Sequence, residues 1–153
     1  MPARKRRTTR KAPRLEPLES EGIEIDFVIL SDFAQAVLGK LNLIGGGWNL
    51  HHAREYPSNV LLGLGIGVLV PWKETNRTHT LQFEIGKSEG PKVMEGKGDY
   101  AVGRDVAIPL GMTQRVTLGI SAPVALPEAG TYEVIVSTAG KQKRVTFEAL
   151  PPK

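Results

Sequence analysis

The sequence of 153 residues has no cysteine, few aromatic residues and no long hydrophobic run. Without cysteine, neither disulfides nor thiolate metal sites can form, and this composition fits a reducing compartment. A membrane-spanning helix needs about 18 to 20 consecutive apolar residues. The longest candidate, Val60 to Val70, has eleven residues and contains three glycines. We therefore expect a cytoplasmic protein with no membrane partner.

Acidic residues are absent from the first fourteen residues, here called the basic segment. Its seven cations are Arg4, Lys5, Arg6, Arg7, Arg10, Lys11 and Arg14. Subtracting these seven from the 20 Lys and Arg of the chain leaves 13 against 16 Asp and Glu, so the remainder has a formal charge of −3. A basic run separated in this way is typical of a segment that binds polyanions. Because it has no aromatic residue to stack on bases, we expect it to bind phosphates without reading sequence.

Two other interpretations of the basic segment remain open, a solubilising extension and a start codon placed too early. Residues 1–22 hold three prolines, many charges and no aromatic side chain. Such a composition cannot bury enough apolar surface to offset the entropy of ordering, so we expect disorder there. The folded domain is expected over residues 23–150.

Alternating apolar and polar residues predict β-strands along this domain, beginning near Ile23. The clearest signal is a hairpin in which Thr131–Ser137 and Lys143–Ala149 flank a turn at Ala139-Gly140. Seven or eight short strands with regular turn signals predict an all-β, antiparallel β-sandwich, either Ig-like or jelly-roll-like. One segment lacks alternation: Asp32–Val37 predicts a short helical turn, capped by Ser31 or by Asp32 itself.

Three glycines share one face of the most apolar predicted strand. In an extended chain Gly63, Gly65 and Gly67 point one way, and the opposite face carries the side chains of Leu62, Leu64, Ile66, Val68 and Val70. The result is a trough of bare backbone, and a strand glycine often marks close approach by another group. We expect an aromatic ring, that of Trp48 or Trp72, or the backbone of a packed neighbour in this trough. The alternative is a ligand groove.

Both tryptophans follow residues that bend the chain. Gly45-Gly-Gly-Trp48 allows a bend that folds the indole of Trp48 across the sheet, as a core residue or, alternatively, as a stacking platform. Trp72, Arg77 and His79 lie in a turn-rich connection after Pro71. They form either an exposed contact patch or a structural corner.

Catalytic and metal-binding motifs are missing from the sequence. His51 and His52 are adjacent, so on a strand they face opposite sides and cannot chelate one ion together. Serine, histidine and aspartate occur without a nucleophile elbow or another local signature. We therefore expect no enzyme activity, no cofactor and no metal site.

Two motifs carry a resemblance: Gly39-Lys-Leu41 leading to Gly45-Gly-Gly-Trp48, and Pro71-Trp-Lys-Glu-Thr-Asn76 leading to His79. Through them the chain resembles a family of small uncharacterised bacterial β-sandwich proteins, over residues 25–149. The resemblance implies a sandwich and a bacterial cytosol, and it supplies no activity. A looser likeness links the chain to viral jelly-roll coat proteins, which also carry an arginine-rich arm.

Three functions follow from these observations. The first is a non-enzymatic interaction module: the basic segment binds nucleic acid, such as ribosomal RNA, or another polyanion, and the sandwich contacts a protein partner or a second copy of itself. The second is a shell or coat subunit whose arm packages nucleic acid. The third is a small-molecule-binding protein or enzyme that uses the face of Gly63 to Gly67.

Overall fold

Ten β-strands form most of the chain that the computed structural model describes, residues 18–153. The strands are β1 (Glu24–Ser31), β2 (Phe33–Val37), β3 (Lys40–Ile44), β4 (Leu50–His52), β5 (Ser58–Val70), β6 (His79–Lys87), β7 (Lys92–Tyr100), β8 (Gln114–Leu126), β9 (Gly130–Thr138) and β10 (Lys141–Leu150). The one helical element of these residues is a 3-10 turn, Trp72–Glu74. No helix within residues 18–153 has the length and apolar character needed to cross a membrane.

The strands form three sheets. The first has the order β1-β5-β8 and is antiparallel throughout. The second has the order β4-β10-β9-β6-β7, and in it the short strand β4 runs parallel to β10. The third is the two-stranded hairpin β2-β3. The predicted all-β sandwich is confirmed, with a parallel pair at one edge that the sequence did not predict.

One hydrophobic core lies between the two larger sheets. The apolar side of β5 contributes Leu62, Leu64 and Ile66, each no more than 2% exposed. From the opposite sheet, Tyr132 of β9 and Phe147 of β10 join the same buried cluster, and their rings stack with centroids 5.5 Å apart. The predicted orientation of β5, apolar side chains on one face and glycines on the other, is therefore correct.

The hairpin β2-β3 replaces the helical turn predicted for Asp32–Val37, and that prediction is wrong. Strand β2 pairs with β3 from Phe33↔Ile44 to Val37↔Lys40. Alternation is hidden because four of the five residues of β2 are apolar, although only Ala34 among them is buried. Ser31 and Asp32 do not cap a helix: Ser31 ends β1, and the Asp32 amide donates to the carbonyl of Ile44 over 3.0 Å. Strand β2 and the three-residue β4 are the two strands beyond the upper number of eight that was predicted.

Strand β1 begins at Glu24, and residues 18–22 precede it without joining a strand. Residues 1–17 of the segment predicted to be disordered lie outside the described residues, as do all seven cations of the basic segment. The ten strands run from Glu24 to Leu150.

The turn between β9 and β10 lies where the sequence predicted it. Ala139 and Gly140 both have positive φ, 49° and 74°, as a type I′ hairpin turn requires. Alanine is disfavoured in this left-handed region, whereas asparagine is enriched there. We expect Ala139→Asn to raise the free energy of unfolding by about 1 kcal/mol, measured by chemical denaturation. An unchanged midpoint would show that alanine costs nothing at this turn.

Candidate functional site

The glycine face, formed by Gly63, Gly65 and Gly67 of β5, lies beneath the β2-β3 hairpin. A Cβ atom added to Gly63 would lie 2.7 Å from the amide nitrogen of Ala34 in β2. Gly119 of β8, directly opposite Gly65 in the sheet, belongs to the same surface. A Cβ atom added there would lie 2.6 Å from backbone atoms of Gln35. Glycine is needed at these positions because the hairpin backbone approaches the sheet too closely for a side chain.

Hydrogen bonds fix the hairpin to this surface. The Ser121 hydroxyl on β8 accepts from the amide of Ala34 and donates to its carbonyl, each over 2.8 Å. Nearer the hairpin tip, the hydroxyl of Thr117 donates to the carbonyl of Gly39 over 3.1 Å. These contacts place the hairpin as a third layer over β5 and β8.

Side chains fill the rest of the glycine face. A Cβ atom at Gly65 would meet the methyl groups of Leu41 and Leu43 at 2.9 and 2.7 Å. A Cβ atom at Gly67 would collide with the ring of Phe27. The face is therefore occupied by one aromatic ring, two leucines and neighbouring backbone. The aromatic occupant is Phe27, not either of the tryptophans that we expected.

Trp48 packs into the opposite side of the first sheet. Gly45 and Gly47 adopt positive φ, 59° and 87°, and make the bend predicted from the glycine run. The indole then meets the ring of Phe147 edge-on, with centroids 5.6 Å apart. Trp48 is half-buried against the core cluster, a position typical of a packing residue rather than a stacking platform.

Trp72 lies at the corner between β5 and β6, which non-covalent contacts of Arg104 hold together. The guanidinium carbon of Arg104 lies 4.4 Å from the centre of the Trp72 ring, within the range of a cation–π contact. The same guanidinium donates to the carbonyl of Trp72 over 2.9 Å and to the Thr75 hydroxyl over 2.5 Å. Arg104 therefore joins this corner to the long connection between β7 and β8.

His79 and Arg77 both belong to this corner but differ in exposure to solvent. His79 is largely buried: its Nε2 lies 2.8 Å from the carbonyl oxygen of Glu74, and its ring lies beside that of Tyr100. Arg77 keeps 66% of its side chain exposed, and one of its guanidinium nitrogens lies 3.7 Å from the Glu74 carboxylate. Trp72, Arg77 and His79 are thus brought together as a structural corner, from which mainly Arg77 remains accessible.

The remaining titratable side chains form no metal cluster in the described part of the chain. His51 and His52 alternate in exposure along β4, as expected for a strand, and His51 Nε2 lies 3.1 Å from the hydroxyl of Ser58. Burial lowers the pKa of His51, and the neighbouring His52 adds to this effect. Within residues 18–153 no three His, Cys, Asp or Glu residues lie close enough together to hold a metal ion.

Five cations of the described residues form ion pairs with acids of the same surface. Arg77, Lys87, Lys92, Arg115 and Arg144, five of the 13 Lys and Arg outside the basic segment, form ion pairs. The shortest join Lys87 to Glu128, Lys92 to Glu84 and Arg115 to Asp26, each over 2.7 Å. Local pairing of this kind leaves no concentrated positive patch among these five residues.

Residues 26–147 match the sequence profile of DUF6941, which is described as a family of unknown function. The chain belongs to DUF6941. The resemblance to a family without an established function is therefore confirmed. No significant match is found among curated proteins. The DUF6941 match contains the glycine face and the Trp72 corner, and the basic segment lies outside it.

Sequence reasoning missed one prominent surface. Residues 101–113 connect β7 to β8, and within this connection Val106 is fully exposed and Leu110 is 86% exposed. The sequence signal was present, since Val106 to Met112 contains no charged residue. It was overlooked because a short apolar run without alternation is not distinguishable from a buried segment by periodicity alone.

Proposed function

We propose that the protein is a non-enzymatic interaction module of the bacterial cytoplasm, whose basic segment binds nucleic acid or another polyanion without sequence preference. The observation that carries this proposal is the separation of charge along the chain. Seven cations and no acid occupy the first fourteen residues, and the rest of the chain has a formal charge of −3. A polyanion would be attracted to the first part and repelled by the second.

The ion pairs of the sandwich support the same division of roles. On the described surface the five cations with carboxylate partners have their charge compensated locally. Arg104 is held by the Trp72 corner, and the Lys143 ammonium donates to the carbonyl of Asp26 over 3.0 Å. The densest run of positive charge in the sequence is the basic segment, with seven cations and no acid in fourteen residues.

A deletion tests this proposal. Full-length protein and a chain lacking residues 1–14 are compared for binding to mixed-sequence single-stranded RNA and duplex DNA, by fluorescence anisotropy at low salt. The full chain should bind both nucleic acids with similar affinity, and the shortened chain should lose nearly all binding because only the acidic body remains. Equal unfolding midpoints for the two chains would show that the deletion leaves the fold unchanged.

Two results would contradict the proposal. Binding that survives the deletion would place the site on the sandwich. Absence of binding by intact protein at low salt would leave the basic segment as a solubilising extension. Closed assemblies that enclose nucleic acid would instead favour the shell or coat function. The small-molecule alternative has less support, because protein atoms occupy the glycine face.

A further inference from the structure

Strand β8 forms one edge of the first sheet. Among the described strands it pairs with β5 alone, over its whole length from Gln114 to Leu126. Residues 116–126 contain no charged side chain. A long edge strand without charge presents a row of backbone groups that can pair with a strand of another chain.

The other three edges of the two large sheets are protected against such pairing. At β1, the carbonyl of Leu30 accepts from the amide of Gly47 over 2.7 Å. The carbonyl of Asp26 on the same strand accepts from the Lys143 ammonium over 3.0 Å. Strand β4 has only three residues. Strand β7 carries four charged side chains, Lys92, Glu95, Lys97 and Asp99. Short strands, charges and proline are common means of blocking an edge, and residues 116–122 of β8 carry neither charge nor proline.

Alternation along the strands shows which residues of β8 face the free edge. In an antiparallel sheet, successive residues of a strand direct their backbone groups alternately towards one side and the other. The carbonyl of Leu30 is directed away from β5, because it accepts from Gly47. Leu30 lies opposite Leu64, so the backbone groups of Leu64 are directed towards β8 and bond to Ile120. Gly119, next to Ile120, therefore faces the free edge.

Pro123 supports this assignment. It lies four residues beyond Gly119 and so faces the same edge, where its missing N–H breaks no bond to β5. The N–H groups that face this edge before Pro123 thus run from Arg115 to Ser121. Within residues 18–153, the backbone groups of Thr117, Gly119 and Ser121 on this edge have no hydrogen-bond partner.

Apolar side chains beside the same edge are incompletely covered. Leu118 and Ile120 are partly buried and pack against the core cluster. With Leu81 and Phe83 of β6 they line a cavity of about 380 Å³ at the β7-β8 side of the sandwich. Gly98 of β7 also lines this cavity, and a Cβ atom there would have no neighbour within 4 Å. The edge therefore offers both unpaired backbone groups and apolar contact.

We infer that β8 pairs in antiparallel orientation with β8 of a second copy of this chain, about a two-fold axis at Gly119. An antiparallel edge is self-complementary, as the shared interface of a two-fold dimer must be. In this register Thr117 lies opposite Ser121 of the second copy, and Leu118 lies opposite Ile120. Each partly buried apolar side chain is then covered by the other. The inference goes beyond the proposed function, because it uses no residue of the basic segment.

The position of Pro123 favours this register. Symmetry about Gly119 places Pro123 opposite Arg115 of the second copy, at the end of the paired stretch. The missing N–H then falls outside the central bonds, whereas a two-fold axis at Ser121 would bring Pro123 opposite Gly119.

Charges near the same axis favour a second copy as the occupant. Lys97 and Asp99 flank Gly98, which lines the same cavity as Gly119. A two-fold rotation at Gly119 brings the two β7 strands together in opposite directions, so that Lys97 of one copy approaches Asp99 of the other. Among residues 18–153 neither side chain forms an ion pair. Opposite charges placed in this way favour association of two identical surfaces.

Sedimentation velocity over a range of protein concentrations tests this inference. The full-length chain should form a dimer. Thr117→Pro removes one edge N–H from each copy and should weaken the dimer by at least about tenfold, since two hydrogen bonds are lost per dimer. Thr117→Ala keeps that N–H but removes the hydroxyl that bonds to the Gly39 carbonyl, and it should leave association within about twofold. Ala125→Pro places the same residue on the same edge beyond Pro123 and should also leave association within about twofold.

Disulfide cross-linking tests the register in chains that keep every edge N–H. The natural chain has no cysteine, so Leu118→Cys and Ile120→Cys are made as separate variants and mixed before oxidation. Directly opposite residues of an antiparallel pair lie about 4.5 to 5.5 Å apart, within the reach of a disulfide. Identical residues of the two copies would be diagonal neighbours about 7 to 8 Å apart, which a disulfide does not span. The mixture should form a covalent dimer, and either variant alone should form little or none.

Three results would overturn the inference. The first is an intact chain that stays monomeric at every concentration. The second is association that Thr117→Pro does not weaken, which would place the interface elsewhere. The third is cross-linking of each single variant as fast as the mixture. RNA binding by a monomeric chain would overturn this inference and retain the proposed function, whereas a β8 dimer that binds no RNA would do the reverse.

Discussion

Glutamine at all seven cationic positions of the basic segment is expected to lower RNA affinity about a thousandfold or more at about 50 mM salt. Each neutralised phosphate releases a condensed counterion, and without the cations this gain is lost. The replaced residues are Arg4, Lys5, Arg6, Arg7, Arg10, Lys11 and Arg14. Because the substitution keeps the length of the chain, it separates the effect of charge from that of a missing segment. Anisotropy titrations measure the change.

A second variant serves as the control for this result. Lysine in place of the five arginines keeps every positive charge and removes the planar guanidinium groups. Affinity within a few-fold of the natural sequence would confirm a contact made by charge alone. A large loss in this variant would point instead to bidentate arginine contacts with specific phosphates or bases, which the account does not predict.

Valine at Gly119 is expected to lower the free energy of unfolding by about 2 kcal/mol or more, within the range measured for overpacked sites. Its Cβ atom would lie 2.6 Å from the backbone of Gln35, which cannot move without lifting β2 from the sheet. Valine at Gly65 should cost less, because Leu41 and Leu43 can move their methyl groups. Chemical denaturation measures these changes in the free energy of unfolding. Unchanged m-values would show that the midpoints report stability alone.

Gly98 provides the matched control for Gly119. It also lies in a strand, β7, but a Cβ atom there would have no neighbour within 4 Å. Gly98→Val should therefore leave the stability nearly unchanged or raise it slightly, since glycine weakens a strand. If Gly119→Val were equally neutral, the hairpin would be free to lift away, and the glycine face would be open to a ligand.

Local patterns in the sequence were sufficient for the main strands. Alternation in β5 and β9 follows directly from the pleat of a strand with one buried face, and Ala139-Gly140 marked its turn correctly. The β2-β3 hairpin could not be predicted in this way. Its inward face is defined by glycines about 30 and 80 residues further along the chain, Gly63 and Gly119, and this pairing is visible only once the sheet has formed.

The candidate functional surfaces, too, were predictable only where they depend on local sequence. The basic segment is evident from composition, because charge of one sign without acids is a local property. The occupant of the glycine face was not predictable, because Phe27 reaches Gly67 through the register of β1 with β5. Exposure of Val106 and Leu110 is a property of the folded connection between β7 and β8, and a short apolar run does not reveal it.

The salt dependence of nucleic-acid binding tests the central claim most directly. Affinity of the full-length protein for mixed-sequence duplex DNA is measured across a series of salt concentrations. With five to seven phosphates neutralised by the basic segment, the logarithm of affinity should fall against the logarithm of salt with a slope of roughly −4 to −6. A slope near zero, or the same slope after the seven cations are replaced by glutamine, would contradict the account.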